Sequence, residues 1–325
     1  MLKHQLGAGG LGTVYAAIDP LLSRPIAVKM LKLDAVQPAQ REALEQQLLT
    51  EARAAAGLSH PHIVTVYDAG LADQGVYVAM ERLQGKDLRQ LLAAGWKPDP
   101  LGAVRIVKRV ADALAYAHSK GVIHCDVKPA NVFMVGRNQP KLLDFGIARL
   151  VQQGATADAG GAELGSPYYA APEQMRGQAL DPRVDVYALG LVLYEMLAGQ
   201  RAFTGESLEQ IRQAVLHEAA PSVRQFNPQV DPALAGVVAK AMARNPDDRY
   251  PTARHFVRAL RRWTDDHETV AQAPAADLPK RRSAWLWPSI ALALAGFIAL
   301  MPSLLGGERA APAAVAVEPA VTVLP

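Results

Sequence analysis

The fold and chemistry of this chain are constrained most by one short run, His124-Cys125-Asp126-Val127-Lys128-Pro129-Ala130-Asn131. It places a carboxylate (Asp126), an ammonium group (Lys128) and a carboxamide (Asn131) on one short segment. Downstream, Asp144-Phe145-Gly146 adds a second carboxylate in front of a glycine. Phosphoryl transfer from ATP needs such a set: a group that holds the acceptor hydroxyl, a cation beside the phosphate, and oxygen ligands for magnesium.

These two motifs, in this order, resemble the catalytic loop and the magnesium-binding motif of protein kinases. The resemblance implies that Asp126 and Lys128 are catalytic. It also implies that Asn131 and Asp144 hold Mg²⁺, with Mn²⁺ as an alternative ion. A lysine two positions after the aspartate is the serine/threonine pattern, so the expected acceptors are Ser and Thr hydroxyls of protein substrates. Asp126 would accept the hydroxyl proton or orient the hydroxyl. Because an ordinary aspartate has a pKa of about 3.9, it is a weak base at pH 7, and positioning is expected to contribute more than proton abstraction.

A glycine-rich stretch near the start of the chain fits G-x-G-x-x-G-x-V. Glycine lets a backbone approach phosphate closely, because no Cβ intervenes and free N–H groups can point at the anion. Dinucleotide-binding folds share part of this pattern, but residues 13–18 favour a strand, not the start of a helix. The sequence therefore predicts a strand–loop–strand cover over ATP. By the resemblance, its nucleotide-binding residues are Leu6, Gly7, Ala8, Gly9, Gly10, Leu11, Gly12, Thr13 and Val14.

The run Ile26-Ala27-Val28-Lys29 predicts a further strand that ends in a lysine. The resemblance implies that Lys29 contacts the α- and β-phosphates and pairs with a glutamate on the next helix. Residues 39–57 are helical by propensity. We predict Glu51 as the partner, because the residues that follow it resemble the family's helix end. Glu42 and Glu45 are expected on a solvated face.

The adenine site is predicted around the strand of residues 76–80. By resemblance, Met80 is the gatekeeper, and Glu81 to Leu83 form a hinge whose backbone meets adenine. By resemblance, the side chains expected to close the adenine slot are Val14, Ala27 and Phe133. Without the resemblance, all three would equally fit an ordinary hydrophobic core.

Gly165-Ser166-Pro167-Tyr168-Tyr169-Ala170-Ala171-Pro172-Glu173 resembles the kinase segment that holds a peptide substrate. Small-molecule phosphotransferases carry a similar aspartate–asparagine loop but lack this segment. Two structural roles also follow from the resemblance. Asp185 is expected to anchor the catalytic-loop backbone, and Arg249 to pair with Glu173.

Cys125 stands where the family usually has an arginine that binds a phosphorylated activation loop. A neutral thiol cannot form that charge-assisted pair, so activation by loop phosphorylation is not expected. Thr156 is the one hydroxyl of residues 150–164. Two alternatives to a protein kinase stay open: a pseudokinase scaffold, which only Cys125 favours, and a small-molecule phosphotransferase.

The predicted fold is α+β, a two-lobed protein kinase with a β-rich N-lobe (1–83) and a mainly helical C-lobe (84–264). Residues 1–6 leave only half of the usual first strand. The net charge of +3 gives no electrostatic argument for nucleic-acid binding. Cys125 is the only cysteine, which excludes an intrachain disulfide and suits a reducing cytosol. Self-association for autophosphorylation is a further expectation.

The last sixty or so residues change in composition. Residues 265–283 read as a linker that ends in a basic triplet at 280–282. Residues 284–305 carry no charge and are long enough, at 1.5 Å per residue, to cross roughly 30 Å of hydrocarbon. We expect one transmembrane helix here, with the kinase on the cytosolic side of the inner membrane by the positive-inside rule. Residues 306–325 would form a short extracytoplasmic tail.

Overall fold

The structure is a computed structural model that describes residues 1–9, 12–31, 33, 38–72, 75–136, 139–145 and 167–272. The chain divides into two compact units, Met1–Ala271 and Gln272–Pro325. Several predictions fall outside the described residues: those on Gly10, Leu11, Thr156 and Ser166, and on residues 284–305 and 306–325.

An antiparallel sheet and one long helix make up the N-terminal part of the first unit. The sheet has the strand order β1-β2-β3-β5-β4. Its strands are β1 (Leu2–Gly9), β2 (Gly12–Ile18), β3 (Pro25–Leu31), β4 (Val66–Ala72) and β5 (Gly75–Glu81), and α1 (Pro38–Ala56) lies between β3 and β4. The strands predicted at 13–18, 26–29 and 76–80 and the helix at 39–57 are all present.

The N-terminal core forms where α1 packs on one face of this sheet. Leu44, Leu48 and Ala52 recur four residues apart, so they share one face of the helix. They are buried against Val76 and Val78 of β5. Burial of a leucine such as Leu48 contributes about 1.5–3 kcal/mol. This packing fixes the position of α1, and with it Glu51, relative to the sheet.

The C-terminal part is mainly helical and carries a small sheet of order β6-β7-β8. The sheet strands are β6 (Lys86–Asp87), β7 (Val132–Val135) and β8 (Gln139–Leu142). The helices are α2 (Leu88–Ala93), α3 (Pro100–Ser119), α4 (Pro172–Met175), α5 (Arg183–Ala198), α6 (Leu208–His217), α7 (Val223–Phe226), α8 (Pro232–Ala241) and α9 (Ala253–Gln272). Short 3₁₀ turns span Pro129–Asn131, Pro167–Tyr169 and Pro246–Asp248.

Helix α5 runs through the centre of the C-terminal core and is buried on nearly every side. Such a helix is apolar all round rather than amphipathic. It ends at Gly199, whose φ of 74° is the left-handed conformation typical of a helix end. The predicted Glu173–Arg249 pair is confirmed: Arg249 donates to the two Glu173 oxygens at 2.6 and 2.8 Å, with its side chain fully buried. Each charge is therefore compensated inside the core.

Two boundaries differ from the sequence prediction. Strand β1 is longer than residues 1–6 alone would allow. It continues through the first two glycines of the glycine-rich stretch and pairs with β2 from Leu2 to Gly9. Helix α9 continues past residue 264 to Gln272, so the predicted linker begins as helix. There the ring of His267 lies 4.1 Å from that of Trp263 (between ring centroids), a contact that a search for apolar periodicity does not reveal. Within the described residues, no helix is both long and apolar enough to span a bilayer.

Candidate active site

The polar residues predicted on the catalytic loop lie in direct contact with one another. Asp126 Oδ2 accepts hydrogen bonds from Asn131 Nδ2 at 2.9 Å and from Lys128 Nζ at 2.8 Å. Asn131 Nδ2 also donates to the backbone oxygen of Asp126 at 2.8 Å. The Asn131 nitrogen is thus engaged, which leaves the amide oxygen for another partner. The turn Pro129–Asn131 folds the loop back and produces this convergence.

Buried Asp185 of α5 holds the backbone of the same loop. Its carboxylate accepts the N–H groups of His124 and Cys125, each at 2.8 Å, as the sequence predicted. Cys125 has a φ of 63°, which costs a non-glycine residue of order 1 kcal/mol or more. The two hydrogen bonds explain how the loop keeps this conformation. A third contact was not predicted: His118 Nε2 of α3 lies 2.8 Å from Asp185 Oδ2.

His124 links the loop to the second acidic motif. Its Nε2 donates to the backbone oxygen of Leu143 at 2.7 Å, while its Nδ1 accepts the N–H of Asp126 at 3.2 Å. Its ring also packs on Phe145, with centroids 4.6 Å apart. This histidine therefore joins the segment that carries Asp126 to the segment that carries Asp144, a role that its position in the sequence motif did not reveal.

Asp144 meets Lys29 of β3 across the cleft between the two parts of the unit. Lys29 Nζ lies 2.6 Å from Asp144 Oδ2, and the lysine is almost fully buried. Burial opposes ionisation of Asp144 and is the largest single influence on its pKa. The charge and hydrogen bond of Lys29, with smaller contributions from His124 and Lys128, outweigh it and lower the pKa below its ordinary value. Asp144 is therefore a carboxylate near neutral pH.

Glu51 does not form the predicted ion pair with Lys29. Among the described residues, the ion-pair partner of Lys29 is Asp144, and Glu51 lies half-buried on α1. One ammonium group already bonded to a buried carboxylate has less to gain from a second acid on a neighbouring helix. A Lys29–Glu51 pair in the nucleotide-bound protein stays a prediction.

The glycine-rich stretch leaves room beside its backbone. A Cβ added at Gly7 or Gly9 would meet no heavy atom of the described residues within 4 Å. Packing among the described residues therefore does not demand glycine at these positions, whereas a phosphate against the backbone would. Gly12 differs: its φ is 152°, and an added Cβ would come within 2.1 Å of the Met30 oxygen. Leu6 and Ala8 are exposed on β1.

Of the residues predicted around adenine, all but Phe133 lie on or next to the N-terminal sheet. Ala27 pairs with Met80 across β3 and β5, and Thr13 and Val14 lie on β2 beside β3. Val14 and Leu83 pack against the cluster that contains Ala27 and Met80. Glu81 ends β5. Phe133 lies half-buried on β7, outside that cluster.

Gln174 was missed by sequence reasoning. Its side-chain nitrogen donates to the backbone oxygen of Cys125 at 2.9 Å, and its side-chain oxygen accepts the N–H of Ala171. It thereby ties helix α4 to the catalytic loop. Its place directly after Glu173, the last residue of the predicted peptide-holding segment, was the only signal in the sequence that could have found it.

Comparison with known proteins agrees with this architecture. The family model described as protein kinase domain matches residues 1–260. The chain therefore belongs to the protein kinase domain family.

Several curated bacterial proteins are similar to the chain. It is 40% identical over 254 residues to the serine/threonine-protein kinase PknB of Mycobacterium leprae, which covers 76% of this chain and 40% of the relative. It is 39% identical over 285 residues to PknB of Mycolicibacterium smegmatis, with coverage of 86% and 44%. PrkC of Bacillus subtilis is 36% identical over 248 residues, with coverage of 76% and 38%. The match thus spans about two fifths of the length of these relatives.

Proposed function

We propose that the chain is an ATP-dependent protein kinase that phosphorylates Ser and Thr hydroxyls of protein substrates. The observation that carries the proposal is the contact of Asp126 with both Lys128 and Asn131 on a loop anchored by Asp185. The names of the relatives, which are serine/threonine-protein kinases, support the same activity.

Each loop residue has a distinct task in this reaction. Asp126 accepts a hydrogen bond from the acceptor hydroxyl and orients its oxygen toward the γ-phosphate. Lys128, whose ammonium group is paired with Asp126 in this structure, would stabilise the negative charge that spreads over the phosphoryl oxygens during transfer. In a largely dissociative transition state, this positioning and charge stabilisation matter more than proton abstraction.

Asn131 and Asp144 would hold Mg²⁺ or Mn²⁺, which neutralises charge on the phosphates when bound. The donor set fits: the Asn131 amide oxygen and the Asp144 carboxylate are hard oxygen ligands, and Asp144 stays ionised. No group of three or more His, Cys, Asp or Glu side chains in the described part of the chain could hold a metal ion. Few protein ligands are what magnesium needs when phosphates and waters supply the remainder.

We assign nucleotide binding to the N-terminal sheet. The backbone of residues 6–14 would cover the phosphates, and Lys29 would contact them with Glu51 as its partner. Glu81 and Leu83 would meet adenine through their backbone, in a slot lined by Val14, Ala27, Met80 and Phe133.

The experiment that tests this function uses the full chain in detergent with radiolabelled ATP. Acceptors are a generic basic protein and, separately, free sugars and amines. Label on Ser and Thr of the protein is expected. Label on small molecules would favour a small-molecule phosphotransferase, and nucleotide binding without transfer would favour a pseudokinase.

We also propose that residues 284–305 anchor the kinase in the inner membrane, with the catalytic unit in the cytosol. The uncharged stretch beside Lys280, Arg281 and Arg282 supports this. We expect the protein to remain in the membrane fraction after high-salt and carbonate washes, because salt does not screen the free energy of transferring apolar residues into the bilayer. Release by salt alone would contradict the proposal.

Self-association for autophosphorylation is a separate proposal, which would be tested by mixing active and inactive chains.

A further inference from the structure

The side chain of Glu81 is held by contacts that its role in adenine binding does not require. Glu81 Oε1 accepts the N–H of Thr65 at 2.8 Å and Lys141 Nζ at 2.6 Å. In return, the Glu81 N–H donates to the Thr65 oxygen at 2.9 Å. Lys141 Nζ also donates to the backbone oxygen of Ile63 at 3.3 Å. One lysine of β8 thus joins the end of β5 to the segment between α1 and β4.

This ion pair lies in partly shielded surroundings. The Lys141 and Glu81 side chains are 19% and 21% exposed. Partial burial reduces solvent screening, so such a pair is stronger than one on the open surface. The shared acceptor also fixes its geometry, because Thr65 holds the same carboxylate oxygen through a backbone group that cannot rotate away.

Lys141 could in principle act on Asp144, which follows it closely in the chain, but β8 is fastened there by other bonds. Leu142 exchanges backbone hydrogen bonds with His62 and Val64 at 2.9 and 3.0 Å. The Leu143 N–H donates to the Asn131 oxygen at 2.9 Å. These bonds do not involve the Lys141 side chain. They would therefore keep Leu142 and Leu143, which precede Asp144, in place if that side chain were removed.

The Glu81 carboxylate has fewer other partners, although the backbone at Glu81 also pairs with Ile26 of β3 and donates to the Thr65 oxygen. Without Lys141, its carboxylate would keep only the single N–H of Thr65 among the described partners. A carboxylate freed from its cation gains by turning toward water, which would remove a side-chain restraint from the end of β5. The end of β5, where the hinge begins, is therefore the part of the site that Lys141 restrains.

We propose that Lys141 is a positioning residue for nucleotide binding: by holding the Glu81 carboxylate, it fixes the hinge backbone that meets adenine. The proposal rests on the proposed ATP-binding function. It places the effect of Lys141 on nucleotide affinity and not on the transfer step, since the lysine contacts neither Asp126 nor Asp144.

Kinetics and direct binding on the full chain in detergent test this role. Lys141→Met is expected to raise KM for ATP and Kd for ADP about tenfold, equivalent to about 1.4 kcal/mol, with kcat within about twofold and KM for the protein acceptor unchanged. Lys141→Arg should retain most of the affinity, because it keeps the charge. Lys86→Met, at an exposed lysine of β6, is the matched control and should leave both constants unchanged.

Coupling between the two side chains gives the second measurement. Glu81→Gln should weaken ADP binding to a similar extent, and the double variant should be no worse than either single variant, because both remove one interaction. Independent, multiplying losses would overturn the pairing. If Lys141→Met lowered kcat and left the ADP affinity unchanged, the hinge role would be wrong, and Lys141 would act on the position of Asp144 instead.

The failure of this proposal can be told from failure of the proposed function. If the wild-type chain binds no ADP, both are wrong. If it binds ADP and Lys141→Met binds equally well, only the positioning role is wrong. Should Lys141→Met fail to fold, as judged by circular dichroism, Glu81→Gln and Lys141→Gln carry the same comparison with smaller packing changes.

Discussion

In the catalytic loop, Asp126, Lys128 and Asn131 already contact one another, whereas in the N-terminal sheet Lys29 contacts Asp144 instead of Glu51. The loop is fastened to buried α5 and needs no ligand to hold its shape. The sheet side relies on a charge pair between two groups that both have proposed ligands of their own. The comparison indicates that the acceptor side of the site is preorganised, while the nucleotide side is completed by what binds there.

The largest effect is expected from a substitution in the catalytic loop, the preorganised part of the site. Asp126→Asn should lower kcat by roughly 10²–10⁴-fold, because the group that orients the acceptor hydroxyl is lost. Binding of ADP, measured by calorimetry, should be unchanged. Turnover within a few-fold of wild type would remove Asp126 from this role.

A somewhat smaller loss is expected on the nucleotide side. Lys29→Met should lower kcat/KM by roughly 10²-fold, since one cation at the phosphates is removed. Glu51→Gln should have a milder effect, because Glu51 would act only through Lys29. In a double-mutant cycle, the double variant should be little worse than Lys29→Met. If the two losses multiply, Glu51 is not the partner.

Asp185→Asn separates anchoring from chemistry. The amide keeps the shape but cannot accept from every neighbouring donor, and each buried donor left unsatisfied costs about 1–3 kcal/mol. Urea unfolding should show that loss in the free energy of unfolding. Asp247→Asn is the control, because its ion pair with Arg183 involves an aspartate that is 80% exposed and should be worth at most about 1 kcal/mol. Equal losses in the two variants would contradict the anchoring role.

A pH titration tests the Lys29–Asp144 pair. The folded pKa of Asp144 lies below its ordinary value of about 3.8, so the pair stabilises the fold above that pH. The contribution is lost as the pH falls through the lower, folded value. The difference in free energy of unfolding between wild type and Asp144→Asn should therefore shrink as the pH falls below about 3.8 toward the folded pKa. A difference that is constant over this range would contradict the pairing.

The smallest expected effect concerns regulation. Phosphatase treatment should leave most activity intact, because Cys125 cannot pair with a phosphate as an arginine would. Thr156→Ala should behave like wild type in the same assay. Loss of nearly all activity in either case would show that another group binds a phosphorylated loop.

The active-site motifs were readable in the sequence because each puts a chemically distinctive side chain at a fixed spacing on one short segment. Asp126, Lys128 and Asn131 needed only a tight turn to meet, and the Glu173–Arg249 and Asp185 contacts followed from the family pattern. The end of α9 was missed, because it depends on contacts such as that of His267 with Trp263 and not on periodicity.

Local sequence determined the identity of the strands, the long α1 helix and the catalytic loop, since backbone propensity and side-chain chemistry act over a few residues. Only the tertiary structure decided which charges meet. Lys29 could face Glu51 or Asp144, and Lys141 could be a solvated surface lysine or the partner of Glu81. Such choices depend on distances between segments far apart in the chain and on how deeply each charge is buried. Those quantities exist only once the sheet, α1 and α5 have packed together.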